Sequence, residues 1–174
     1  MIGSELNDSI IQTFDTFALD VKRMEFAKSK VEAFIPLNRD NYYSLDDETI
    51  GFLDQYIFRF SKLQDTIGTR LFPLTLEALA EPLTDKAFID ILNRLEKLEV
   101  IDSALSWIQL RKIRNDIAYE YPASLIERIE GINILFEKLE ELKQIIVNCS
   151  SIINAHHSAQ AWEMNQESKI SVAN

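Results

Sequence analysis

Apolar residues recur along most of the chain at alternating steps of three and four, the period of helices that bury one face. Ile10, Phe14, Phe17, Val21 and Met24 set this pattern in a first helix from Ser4 to about Lys30. Pro36 and the polar run Asn38 to Asn41 close it. Ser44 or Asp46 can cap a second helix, with Asp47 and Glu48 in the first turn where the helix dipole favours anions. Its face is Leu53, Tyr56, Phe60, Leu63 and Ile67. Gly68 and Pro73 predict a kink or short break in the continuation, and Pro82 ends it. Thr84 is the expected N-cap of a helix through Glu99 that buries Phe88, Ile91, Leu92, Leu95 and Leu98. Ser103 caps the next helix, which stops at Tyr121 because Pro122 disfavours helical geometry in the residue before it. A last long helix starts near Ser124 and repeats Leu125, Ile129, Ile132, Phe136, Leu139, Leu142 and Ile146, close to heptad spacing. The expected fold is an all-α, up-and-down helical bundle of four to five helices over residues 1–155. The periodicity fades beyond about Ala155, so 156–174 is expected as a mobile C-terminal tail.

Composition narrows this picture without changing it. A chain of 174 residues, 47% hydrophobic, has enough apolar sequence for one domain with a core. Four glycines and four prolines are few for a strand-and-turn architecture. The single cysteine, Cys149, excludes an intrachain disulfide, and with no leader-like N-terminus it points to a cytoplasmic, reducing location. No apolar stretch approaches a membrane span, so no membrane partner is expected. The formal charge of -10 argues against a general nucleic-acid coat protein, which needs clustered cations to replace counterions.

Candidate chemistry concentrates between Leu110 and Pro122. Leu110, Ile113 and Ile117 form an apolar stripe that Trp107 extends by one turn. Arg114 lies on the margin of that stripe, Arg111 one turn back on the same flank, and Tyr121 nearly above Arg114. Arg111, Lys112 and Arg114 run against the overall charge, although a solvated helix face explains such a run when charge is the only signal. Arg114 and Tyr119 are five residues apart, about 140° around an ideal helix. A site that uses both needs a distorted helix end or a second copy of the chain. Elsewhere the signals are weak. His156 and His157 are adjacent on a polar segment, poor geometry for a metal, and no metal or cofactor is expected. Cys149 sits among Ile146 and Val147, which favours a buried, inert thiol. Asp54, Arg59 and Asp65 read as surface salt-bridge partners.

The octapeptide Arg114-Asn115-Asp116-Ile117-Ala118-Tyr119-Glu120-Tyr121 resembles the signature of HEPN-domain proteins, in which Arg, usually followed by Asn, precedes a His by a few residues, often with a Tyr two further on. The segments Phe58 to Phe72 and Leu92 to Ile101 are similar to the prokaryotic HEPN ribonuclease toxins paired with minimal nucleotidyltransferases. The resemblance implies metal-independent RNA cleavage by a homodimer, with Arg114, Asn115 and Tyr119 in the catalytic positions; in an active ribonuclease Arg111 is expected to join Arg114 in holding the scissile phosphate. It also implies a nucleotidyltransferase antitoxin that transfers AMP from ATP to Tyr121 and blocks the cleft. Tyr119 departs from the pattern, since it stands where the family has His. An imidazole titrates near 6.5, whereas a phenol near 10 is only about one part in a thousand ionised at neutral pH. The alternative expectation is therefore a catalytically inactive HEPN subunit that binds its partner and dimerises. Periodicity alone supports a third, a structural bundle with no nucleic-acid role.

Overall fold

The computed structural model describes residues 4–83, 85–119 and 124–172, with Ser4 and 157–172 described as backbone only. The chain is an all-α helical bundle, and no strand occurs among the described residues. Its long helices are α1 (Ser4–Val31), α3 (Asp47–Thr66), α5 (Phe88–Lys97), α6 (Ala104–Ala118), α7 (Leu125–Glu137) and α8 (Leu139–Val172), with short helices α2 (Arg39–Tyr43) and α4 (Phe72–Ala78) between them. Side chains start several of these helices as the sequence anticipates. Asp46 Oδ1 accepts from Thr49 N–H at 2.8 Å, Ser103 Oγ from Ser106 N–H at 3.2 Å and Ser124 Oγ from Glu127 N–H at 3.3 Å. The short α2 lies within the expected polar connection, because Asn38 and Asn41 each accept from the other's backbone N–H.

The face of α3 is the centre of the core. Leu53, Tyr56, Phe60, Leu63 and Ile67 are all buried, against Phe17 and Met24 of α1, Leu110 and Ile117 of α6, and Ile132 and Leu135 of α7. Burying a side chain of this size stabilises the fold by roughly 1.5–3 kcal/mol. Several polar groups that enter this core are paired. Tyr56 stacks on Phe136 with ring centroids 3.9 Å apart, and its hydroxyl donates to Leu135 O at 3.1 Å. Burial raises the Tyr56 phenol above its ordinary range. Asn133 of α7 exchanges two hydrogen bonds with the backbone of Leu37, at 2.7 and 2.9 Å, and so ties the loop after α1 to the bundle. Buried Asp20 of α1 is met by Arg59 at 2.9 Å and Lys62 at 3.1 Å, both from α3.

The interruption expected at Gly68 and Pro73 takes a definite form. Residues Ile67–Leu71 make a π-helical turn, in which Phe72 N–H reaches back to Ile67 O, and α4 continues directly from it with Pro73 in its first turn. Pro73 has no N–H to give to Thr69 O, and its ring needs room against that carbonyl, which the wider turn supplies.

Four boundaries differ from the sequence reading. Helix α5 begins at Phe88, where Asp90 accepts from Ala87 N–H, and the expected cap Thr84 lies outside the described residues. Helix α6 ends at Ala118, with Tyr119 as its C-cap, short of the expected stop at Tyr121. The last helix is interrupted at Lys138, whose N–H still bonds Ile134 O. Helical backbone continues through Val172, past the expected end near Ala155. Ala80 and Glu99, at φ 55° and 56°, close α4 and α5 in the left-handed region, each followed by the paired backbone bonds of a Schellman turn. Helix α7 approaches α6 closely at Gly131, where an added Cβ would meet Ile117 Cδ1 at 2.7 Å.

In urea unfolding, Glu99→Gly is expected to raise stability by about 0.5–1 kcal/mol, the left-handed strain relieved less the added freedom of glycine in the unfolded chain. Gly131→Val is expected to lower it by about 1–3 kcal/mol through overpacking against Ile117. Unchanged midpoints in both variants would contradict these local geometries.

Candidate functional site

Helix α6 carries Trp107, Arg111 and Arg114 at steps of four and three, so the three side chains share one flank. They form one wall of an open cleft of about 380 Å³. Gln64, Asp65, Gly68 and Thr69 supply the opposite wall from the end of α3 and the π-turn, while Pro73 and Phe88 close the ends. Gly68 and Thr69 follow Gln64 and Asp65 at a step of four, so the four residues share one face.

Arg114 is buried, with only 5% of its side chain exposed. Its Nε donates to Gln64 Oε1 at 3.0 Å, and its two terminal nitrogens donate to the two carboxylate oxygens of Asp65 at 3.1 and 2.5 Å. A planar guanidinium held at three points has one orientation. Asp65 is itself half exposed, so water and ions reach the carboxylate side of the pair. The other two cations behave differently. Lys112 points outward and donates to Asp116 at 2.8 Å, a bond that raises its ammonium above the ordinary range. Arg111 is exposed and lies 5.5 Å from the centre of the Phe88 ring.

The remaining motif positions do not join this cleft. Asn115 is half-buried, and its carbonyl accepts from the Tyr119 N–H at 3.0 Å. Tyr119 ends the helix with 66% of its surface exposed and does not line the cleft. Arg114 and Arg111 are thus brought together, while Tyr119 faces outward at the helix end. Tyr121 lies outside the described residues.

Two residues of the site escaped the sequence reading. Asp65 is the exposed ion-pair partner that the sequence anticipated, but its counter-charge is the buried Arg114, which the sequence did not pair with it. Gln64 left a signal, because it falls four residues after Phe60 and three before Ile67, on the buried stripe of α3. A polar side chain on a core stripe requires a partner. Arg59 likewise turns inward to Asp20. Cys149 is fully buried, and burial pushes its thiol up to about 11, which leaves it protonated at neutral pH. His156 is half-buried on α8. Among the described residues no helix is long and apolar enough to cross a membrane.

No family model, no curated protein and no solved structure matches the chain.

The ion pair is expected to be asymmetric in its contribution to stability. Asp65→Ala leaves a buried guanidinium without its counter-charge, an expected loss of about 2 kcal/mol, towards the low end for a broken pair because the cleft admits water. Arg114→Met removes the charge and keeps the stem, so its unfolding midpoint should fall less than that of Asp65→Ala. The reverse order would show that Arg114 contributes mainly by packing.

Proposed function

We propose that this chain is a HEPN-type toxin subunit of a toxin-antitoxin module, controlled by a minimal nucleotidyltransferase, with the Arg114 cleft as its RNA-phosphate site. One observation carries the reading: Arg114 is oriented at three points beside an open cleft that also holds Arg111. A fixed guanidinium next to a second, exposed cation suits a phosphodiester, which takes paired N–H donors and a charge nearby. The octapeptide Arg114 to Tyr121 supplies the family resemblance. Among the described residues no cluster of His, Cys, Asp and Glu is arranged for a metal ion, and the reading needs none.

In this scheme the phosphate meets Arg111 first and shares Arg114 with Asp65. Tyr119 acts from a second copy of the chain, since it is exposed at the end of α6 and does not line the cleft of its own copy. A phenol can donate a proton or hold a phosphate oxygen, but at neutral pH it is a poor general base.

A second reading is favoured by the Asp65 carboxylate. It already engages both terminal nitrogens of Arg114, so the phosphate must compete with an internal anion. Together with the phenol at Tyr119, this supports a subunit that binds RNA or its partner, dimerises, and does not cut.

RNA cleavage by the purified chain, run beside Arg114→Ala and Tyr119→His, separates the two. Cleavage that falls at least a hundredfold in Arg114→Ala establishes the ribonuclease. Cleavage only by Tyr119→His establishes a binding subunit on a ribonuclease scaffold. No cleavage and no RNA or partner binding by any of the three would leave only a structural bundle.

Control by AMP transfer has its own readout. Mass spectrometry after co-expression with an active minimal nucleotidyltransferase is expected to find one AMP on Tyr121, which would add a bulky anion to the motif segment. Unmodified Tyr121 under those conditions would remove this part of the proposal.

A further inference from the structure

We infer that the exposed flank of α1 is a docking surface for a second copy of this chain, whose own α1 lies antiparallel across it about a two-fold axis between Ala18 and Leu19. The inference does not rest on the RNA reading above.

The flank is a helix seam without a partner. Ile11, Asp15, Ala18, Lys22 and Phe26 follow one another at steps of four, three, four and four, and Leu19 lies beside Ala18, so the six share one side of the helix. The residues that α1 gives to the core, Phe17, Met24, Ala27 and Val31, occupy the opposite side. Ile11, Leu19 and Phe26 are 52%, 46% and 52% exposed, and Asp15, Ala18 and Lys22 are exposed as well. A single apolar residue on a surface is ordinary, whereas a row of them at helical spacing is the pattern of a helix–helix contact. The apolar surface also continues sideways, since Ile11 lines a cleft with Ile153 of α8 and Ala18 lines another with Ile146.

The order of the six residues selects the occupant. Reversed about the point between Ala18 and Leu19, the flank reads onto itself. Ile11 falls opposite the partner's Phe26, Asp15 opposite the partner's Lys22, and Ala18 opposite the partner's Leu19. Each pairing occurs twice, as a two-fold axis requires. Neither Asp15 nor Lys22 has an ion pair among the described residues of its own chain. A parallel pairing in register would set carboxylate against carboxylate and ammonium against ammonium, which is destabilising. The charges therefore fix direction and register, and the apolar residues supply the area, with the short Ala18 allowing close approach at the centre. Two copies of formal charge -10 repel at long range, so the attraction has to be local and complementary in this way.

The contact is separate from the Arg114 cleft. Helix α3 packs against both α1 and α6, and the flank lies on the side of α1 turned away from the core. Pairing through α1 leaves the cleft and Tyr119 open.

Sedimentation equilibrium of the full chain over a concentration series tests this, using exposed charge changes that should leave the helical circular dichroism intact. Asp15→Lys sets two like-charged pairs across the axis, as does Lys22→Asp, and each is expected to raise the dimer dissociation constant by about tenfold or more. An equimolar mixture of the two variants restores opposite charges at both pairs. It is expected to form a heterodimer at concentrations where neither variant associates through α1 alone. In a chain that also pairs through Tyr119, the single changes should take a tetramer to a dimer. A wild-type monomer throughout the series overturns the proposal. Loss of association in the single variants that the mixture does not restore overturns it too, because the flank then meets something other than itself. Association that ignores both changes but responds to Tyr119→Ala overturns the α1 pairing and leaves the RNA reading standing.

Discussion

Helix α3 presents a buried face on which the other long helices are assembled. Leu53, Tyr56, Phe60, Leu63 and Ile67 leave water only because α1, α6 and α7 cover them, and those helices bury their own stripes in the same contacts. Because non-directional burial supplies most of the driving force, the helices are held together chiefly by apolar area. Direction comes from a few polar ties inside that area: Asp20 with Arg59 and Lys62, Tyr56 with Leu135, and Asn133 with Leu37. Each fixes one helix or loop against another, since a buried polar group that loses its partner costs more than the net gain of the bond.

Arg114 extends that logic to the site. A guanidinium within the bundle is tolerated because α3 supplies an amide and a carboxylate at adjacent positions, Gln64 and Asp65. The π-turn that follows brings Gly68 to the edges of Trp107 and Phe88. A proline that cannot donate a hydrogen bond thus reshapes the helix next to a cation held at three points. Those three bonds hold the guanidinium in one orientation, which a solvated surface arginine lacks.

Much of the fold was legible in the sequence. The stripes of α1, α3 and α5, the caps Asp46, Ser103 and Ser124, and the disturbance near Gly68 follow from local rules, because period, capping and the missing N–H of proline act over a few residues. The left-handed endings at Ala80 and Glu99 carry no glycine to announce them. The break at Lys138 and the helix beyond Ala155 were equally silent, since helix formers surround both positions. At the site, the shared flank of Arg111 and Arg114 was legible from spacing. The partner of Arg114 was not.

The sequence by itself determined that this chain is a set of amphipathic helices, where most of them begin, and that Arg111 and Arg114 project to one side of the sixth. Those properties reside in residues within a few positions of one another. Only the tertiary structure decided that Asp65, 49 positions away, takes the charge of Arg114, that Gln64 fixes the guanidinium plane, and that Tyr119 stands outside the cleft. A carboxylate on a helix surface looks the same in sequence whether it faces water or an arginine. The packing of α6 against α3 chose between them, through contacts that no local pattern encodes.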